Sequence, residues 1–366
     1  MPDLHHSHNF ISHLKAHLHP WAHGNKFKYV NAVYYPSWQV YCGETPSSLK
    51  LSVASHVFYA FLQPHEDGTI HQLDGYADTQ IRVDGETGCL NAFKKLKTDY
   101  PHLKVMVSIG GKSGSSGFPL LAAHEGSRRT FASLARDLVD KYGFDGIDVN
   151  WEQPSSHQQG EHYLQLLATI REYFPLPQFL VTTALPVDEM CLRNIDLAAV
   201  STYCDFINLM GYDFAGSWTE LSGHQAQLKS PSTTPAWSVD NGTRYLLSHG
   251  VPAKKIVLGI PMYGRSFLGA TGPDQRVSGH GGENGIFEYK DLPRPGSHET
   301  VDLQLCAAFC VGGDGGFVSY DNPETVEMKA KYVKEKKLGG LFYWAGTFDA
   351  EAPRSLVQTG YKSLNC

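Results

Sequence analysis

The sequence predicts an α/β fold: a (β/α)8 TIM barrel with a small α+β insertion after its seventh strand. Two observations point to it. Short apolar runs alternate with helical stripes along most of the 366 residues, the pattern of βα units around a parallel sheet. One interval, from Arg265 to Phe317, is too long for a loop in a compact domain and is punctuated by Gly269, Gly272, Gly279, Gly281 and Gly282. The barrel is expected over 27–265 and 318–366, the insertion over 266–317, and a disordered histidine-rich tail over 1–26.

Strand one is expected from Tyr29 to Tyr35, where Pro36-Ser37-Trp38 ends it, and strand two from His56 to Leu62. A helix around Leu90, Phe93 and Leu96 precedes strand three, Lys104 to Ile109, which Gly110-Gly111 closes. The next helix carries Phe131, Leu134, Leu138 and Tyr142 at helical spacing, with Gly143 as its stop. Strand four lies within Phe144 to Gln153. Its helix packs with Tyr163, Leu166, Leu167, Ile170 and Phe174. Strands five and six are expected at Phe179 to Leu185 and Asp205 to Tyr212. A helix from Val239 to Ser248, stopped at Gly250, leads to strand seven, Lys255 to Met262. After the insertion, Asn322-Pro323 reads as an N-cap with proline at the first helical position, opening a helix through Val326, Ala330 and Val333. Leu341 to Trp344 is strand eight, and Leu356 to Leu364 the last helix.

Composition narrows the function. Hydrophobic residues make up 42% and aromatics 12%, enough for a core and for stacking surfaces in a cleft. The formal charge of −6 gives no electrostatic reason to expect nucleic acid or an anionic membrane as partner. No apolar run approaches the length of a membrane span, and the amino terminus has no apolar signal core. Seven scattered cysteines form neither a disulfide framework nor a zinc site, so buried free thiols are expected. The expectation is therefore a monomer, intracellular or exported without a leader, with no metal and no cofactor.

Strand four carries the chemistry. It reads F-D-G-I-D-V-N-W-E-Q, and period two puts Ile147, Val149 and Trp151 on one side and Asp148, Asn150 and Glu152 on the other. A solvated strand face would give the same alternation. Inside a closed barrel, though, that polar face points into the core or mouth, where unpaired carboxylates are costly. Glu152 ends the strand before the Pro154 loop, at the rim where such barrels keep their reactive groups.

The run D-G-I-D-V-N-W-E resembles the D-x-x-D-x-D-x-E signature of glycoside hydrolase family 18, the chitinases and their relatives. Further motifs occur in the family's order: Tyr34-Tyr35, Tyr59-Ala60-Phe61, Ser108-Ile109-Gly110-Gly111, Met210-Gly211-Tyr212-Asp213, Tyr263-Gly264-Arg265 and Trp344. The likeness runs from Val30 to Tyr361. It implies chitin or chito-oligosaccharides as substrate and a substrate-assisted retaining mechanism, in which the sugar's own acetamide attacks the anomeric carbon. Glu152 would be the acid/base. Residue 150 would orient the acetamide and share a proton with Asp148, while Tyr212 and Asp213 would hold the acetamide oxygen. Tyr34, Phe61, Gly111, Met210, Trp218, Tyr263, Arg265 and Trp344 would bind substrate, with Trp38, Trp218, Tyr263 and Trp344 as stacking candidates.

Three positions depart from the family. Asn150 stands where the family has aspartate, Lys112 where it often has tryptophan, and Gln153 where the acid is often followed by tyrosine. An amide keeps the shape of the carboxylate but loses its charge and its proton relay. A lost charge at a developing cation costs a few kcal/mol, or roughly a hundred- to a thousand-fold in rate. The chain could thus be an engineered trap, a naturally slowed enzyme or an enzyme turned binder. A silent chitin-oligosaccharide-binding protein and an endo-β-N-acetylglucosaminidase are the alternative readings.

Overall fold

The computed structural model describes residues 27–231 and 236–366. The tail expected over 1–26 lies outside the described residues. Eight parallel strands close into a barrel: Val30–Pro36, His56–Pro64, Lys104–Gly110, Gly146–Asn150, Leu180–Pro186, Phe206–Met210, Ile256–Pro261 and Gly340–Trp344. Each pairs with the next, and strand one pairs with both strand two and strand eight.

Each strand is buried on both faces, so its sequence reads as a continuous apolar run. Ala32, Tyr34, Phe58, Met106, Phe206, Val257 and Phe342 fill the barrel interior. Their neighbours, such as Val33, Tyr35, Val57, Tyr59 and Val107, face outward and pack beneath the helices. Polar residues inside such a barrel need partners close by, and the parallel register supplies them. Ser108 and Thr182 stand level with Asp148 on the two flanking strands, so all three side chains leave the sheet on one face.

Most helix boundaries fall where the caps predict. Gly143 ends Glu125–Tyr142 in the left-handed conformation, and Asn322 with Thr325 forms a reciprocal capping box that starts Pro323–Lys336. The Glu125–Tyr142 helix corrects one expectation. Leu134 is exposed, and the buried stripe is Phe131, Ala132, Ala135, Val139 and Tyr142. At 100° per residue these five fall on one arc of the helix, and Leu134 lies to one side of it.

The insertion after strand seven is a five-stranded antiparallel sheet. Its order is Ile286–Glu288, Tyr263–Phe267, Phe317–Tyr320, Ala307–Gly312, Ser297–Asp302. The helical part expected of it is confined to one 3-10 turn, Tyr289–Asp291. Glycine-rich turns between short strands leave no stretch long enough for an amphipathic helix. Two strands of this sheet reach past the expected limits, and one of them carries Tyr263 and Arg265.

Where the insertion returns to the barrel, Lys329 of the Pro323–Lys336 helix is fully buried. Its Nζ donates to Asp321 Oδ2 at 2.5 Å and to the Ala226 carbonyl at 2.7 Å. Removing one partner of a buried ion pair strands the other charge. Lys329→Met should therefore cost about 3–5 kcal/mol of stability in urea unfolding. A loss under 1 kcal/mol, on that same scale, would mean that Asp321 finds another partner.

All seven cysteines are free. Cys89, Cys204, Cys306 and Cys310 are buried as expected, but Cys42 and Cys366 are exposed because they lie in a surface turn and at the last residue. No helix among the described residues is long and apolar enough to cross a membrane.

Candidate active site

The C-terminal ends of the barrel strands surround a cavity of about 480 Å³, within the usual size range of small-molecule sites. Strands eight, one and two supply an aromatic floor. The Phe61 and Trp344 rings stack at 5.5 Å, Tyr34 lies 5.4 Å from Trp344, and Trp38 sits 6.5 Å from Trp344 at the edge. Non-proline cis peptide bonds at Ala60–Phe61, Glu152–Gln153 and Trp344–Ala345 all adjoin cavity-lining residues.

Beneath the cavity, Asp148 has no solvent exposure. Its Oδ2 accepts from Tyr34 Oη at 2.8 Å and from Ser108 Oγ at 2.7 Å, and its Oδ1 accepts from Thr182 Oγ1 at 2.7 Å. Burial raises its pKa above the ordinary carboxylate value, and the hydroxyl donors oppose that shift. Asn208 Nδ2 donates to the Tyr34 hydroxyl at 3.0 Å and so completes a network that spans the barrel interior.

Asn150 lies directly above. Its side chain lines the cavity, and its buried Oδ1 has no hydrogen-bond partner among the described residues. An unpaired buried acceptor is costly, which marks this oxygen as waiting for a donor. Its backbone carbonyl accepts from Gly111 N–H at 2.8 Å and from Ser115 Oγ at 3.2 Å. Ser115 Oγ also accepts from Glu152 N–H at 2.9 Å, which ties the loop after strand three to the end of strand four.

The Glu152 carboxyl is pushed up to about 7, chiefly by burial. Lys112 pulls it down and Asp213 pushes it further up. Across the cavity, Asp213 adopts a left-handed conformation, φ +64°. Its Oδ1 accepts from Tyr263 Oη at 2.7 Å and from Arg265 Nε and Nη2 at 3.0 and 2.7 Å. The Tyr212 hydroxyl lies among Glu152, Asp213 and Asp148, and burial holds its pKa well above the ordinary value, so it stays a neutral donor.

The family model for glycosyl hydrolases family 18 matches residues 30–349. The chain belongs to glycosyl hydrolase family 18. Chitinase 1 of Aphanocladium album is 34% identical over 364 residues, covering 92% of this chain and 85% of that one. Sporulation-specific chitinase 2 of Saccharomyces cerevisiae is 28% identical, covering 92% and 78%. Among solved structures, the Ostrinia furnacalis Group IV chitinase in complex with allosamidin superimposes with a TM-score of 0.83 at 28% identity, over 92% of this chain and 99% of that one.

Of the residues that the family resemblance singled out, Tyr34, Phe61, Asn150, Glu152, Met210, Tyr212, Asp213, Tyr263 and Trp344 line the cavity, as do the two departures Lys112 and Gln153. Four do not. Asp148 lies below the floor. Gly111 packs behind Phe61, and Arg265 is buried as the clamp on Asp213. Trp218 is displaced to the outside, its ring stacked 4.6 Å from the Arg265 guanidinium. The cavity also contains Leu73, Asp188, Phe214 and Trp237, which no family motif flagged. Phe214 directly follows the Met210–Asp213 motif and could have been included on that ground. Ser115 had no sequence signal beyond its glycine-rich surroundings.

Gly111 has a definite structural reason. At φ +76° a Cβ would stand 2.6 Å from the Phe61 ring. Gly111→Ala combines backbone strain with overpacking, so it should lose about 1–3 kcal/mol of stability and push Phe61 into the cavity. Denaturant unfolding beside oligosaccharide affinity checks this; an unchanged affinity would mean that the ring does not move.

Proposed function

We propose that this protein is a chitinase-type glycoside hydrolase. It cleaves β-1,4 bonds between N-acetylglucosamine units of chitin or chito-oligosaccharides by a substrate-assisted, retaining route, slowed by Asn150. One observation carries the reading: Glu152, a carboxyl whose pKa lies near neutrality, shares a cavity with the stacked Phe61–Trp344 floor. An uncharged sugar packs its C–H faces on such rings, and the acid must be protonated where it works.

In the first step Glu152 gives its proton to the glycosidic oxygen. The acetamide oxygen of the same sugar attacks the anomeric carbon as the C–O bond breaks, forming an oxazolinium ion. In the second step ionised Glu152 takes a proton from water, the water oxygen bonds to the anomeric carbon, and the ring opens back to the acetamide. The Asn150 amide oxygen, unpaired among the described residues, is the acceptor for the acetamide N–H. Tyr212 donates to the acetamide oxygen, and Asp213 is kept in place by Tyr263 and Arg265.

The test is release of product from a soluble chitin oligomer across a pH series. Glu152 loses its proton above about 7, so kcat should fall roughly tenfold per pH unit on that side. A rate that rises steadily through pH 8 would remove Glu152 as the acid. Affinity for the oligomer with no product at any pH would overturn this reading and identify a silent chito-oligosaccharide binder.

A further inference from the structure

Trp237 belongs to none of the motifs that identify the family, yet it lines the cavity. It lies beyond strand six, just before the helix Val239–Ser248. Its side chain is 51% exposed, and among the described residues no aromatic ring or cation stacks on it. Its backbone is nonetheless anchored. The Trp237 carbonyl accepts from the buried Gln227 Nε2 at 2.6 Å, and Val239 N–H donates to the Gln227 carbonyl at 3.1 Å. Ser238 Oγ accepts from Asn241 N–H at 3.2 Å and caps the helix.

The barrel order places this ring. Trp344, Trp38 and Phe61 rise from strands eight, one and two. Asp188 and the pair Phe214 and Trp237 rise beyond strands five and six. In a closed ring of eight strands these two arcs face each other, with Glu152 at the end of strand four. A sugar on the Trp344 floor is therefore followed, on the far side of the cleft, by a half-exposed indole carried on an anchored backbone. The rim of strand three offers no ring there, because Lys112 occupies it.

We infer that Trp237 is a stacking platform for a sugar unit beyond the one on the Trp344 floor, and so determines preference for longer chito-oligosaccharides. This deepens the chitinase reading above and rests on it. Stacking of a sugar face on an indole reads as about a tenfold change in affinity, which converts to about 1.4 kcal/mol.

The experiment is calorimetric titration of the full chain with chitin disaccharide and hexasaccharide, in the Glu152→Gln background so that neither is consumed. Trp237→Ala should weaken hexasaccharide binding about tenfold and leave disaccharide binding unchanged, and Trp237→Phe should recover most of the loss. Hexasaccharide affinity within about twofold of the parent would overturn the platform, and so would an equal loss for both sugars. If the parent binds neither sugar, the chitinase reading falls and takes this inference with it. If the parent binds both and only the Trp237 result is negative, the platform alone is wrong.

Discussion

Asn150→Asp should accelerate hydrolysis of a soluble chitin oligomer roughly a hundred- to a thousand-fold in kcat. The oxazolinium ion carries a positive charge, and a carboxylate fixed beside it lowers the barrier, whereas the amide offers only a dipole. The surroundings are ready for the change. Asp148 lies directly below, buried and held by Tyr34, Ser108 and Thr182. Two carboxyls so placed cannot both ionise cheaply; they share a proton and titrate as a pair. That pair can pass its proton down toward Asp148 as charge builds on the sugar, a step closed to the amide. Binding should change little, because shape is conserved. The variant should also lose about 1–3 kcal/mol of stability at neutral pH, since it buries a second ionisable group. Steady-state kinetics of the two proteins side by side decide the matter. Equal rates would show that the chain works as well with an amide and that Asp148 alone suffices.

Glu152→Gln should remove hydrolysis, by at least about a thousand-fold, while leaving oligosaccharide affinity largely intact. The amide cannot donate the proton that the leaving oxygen needs, but it keeps the size and polarity of the cavity wall. The same substitution should raise stability at alkaline pH, and the sign follows from linkage. The folded carboxyl titrates near 7 against an ordinary value of 4.5. Between those values the unfolded chain has lost its proton and the folded one still holds it. Stability therefore falls as pH rises from 4.5 to 7, and the cost persists above. Its upper bound is about 3 kcal/mol, and residual solvent access brings it to roughly 1–2 kcal/mol. Gln removes that cost, so the variant should melt higher than the parent at pH 8 and at the same temperature at pH 4. No difference at pH 8 would mean that the carboxylate is better solvated than its burial implies. Gained stability with lost turnover is the expected pattern for a group held in an unfavourable environment for its chemistry.

The barrel and most of the acid site were legible because their signals are local. Strands buried on both faces leave apolar runs of fixed length, and polar residues at period two within one of them stand out, as Asp148, Asn150 and Glu152 do. Helix stops such as Gly143 and caps such as Asn322 act through their own backbone neighbours. Burial choices that depend on a partner were less visible: helical spacing alone does not reveal that the helix buries Ala132 and Ala135 and leaves Leu134 out. The insertion reads as a separate unit from its length and glycines, but the strand pairing that makes it a sheet joins segments far apart in sequence.

By itself, then, the sequence determined the strand order, the family and the candidate for the acid, because period, turn chemistry and motif spacing are written along one chain. Only the tertiary structure decided what each polar group meets. Closure of the barrel puts Ser108 and Thr182 level with Asp148 and brings Tyr34 across to it. It sends Arg265 to clamp Asp213, moves Trp218 out of the cavity and brings Trp237 in. The neutral-range pKa of Glu152 belongs to the same class, since desolvation exists only once strands distant in sequence surround the carboxyl and exclude water from it.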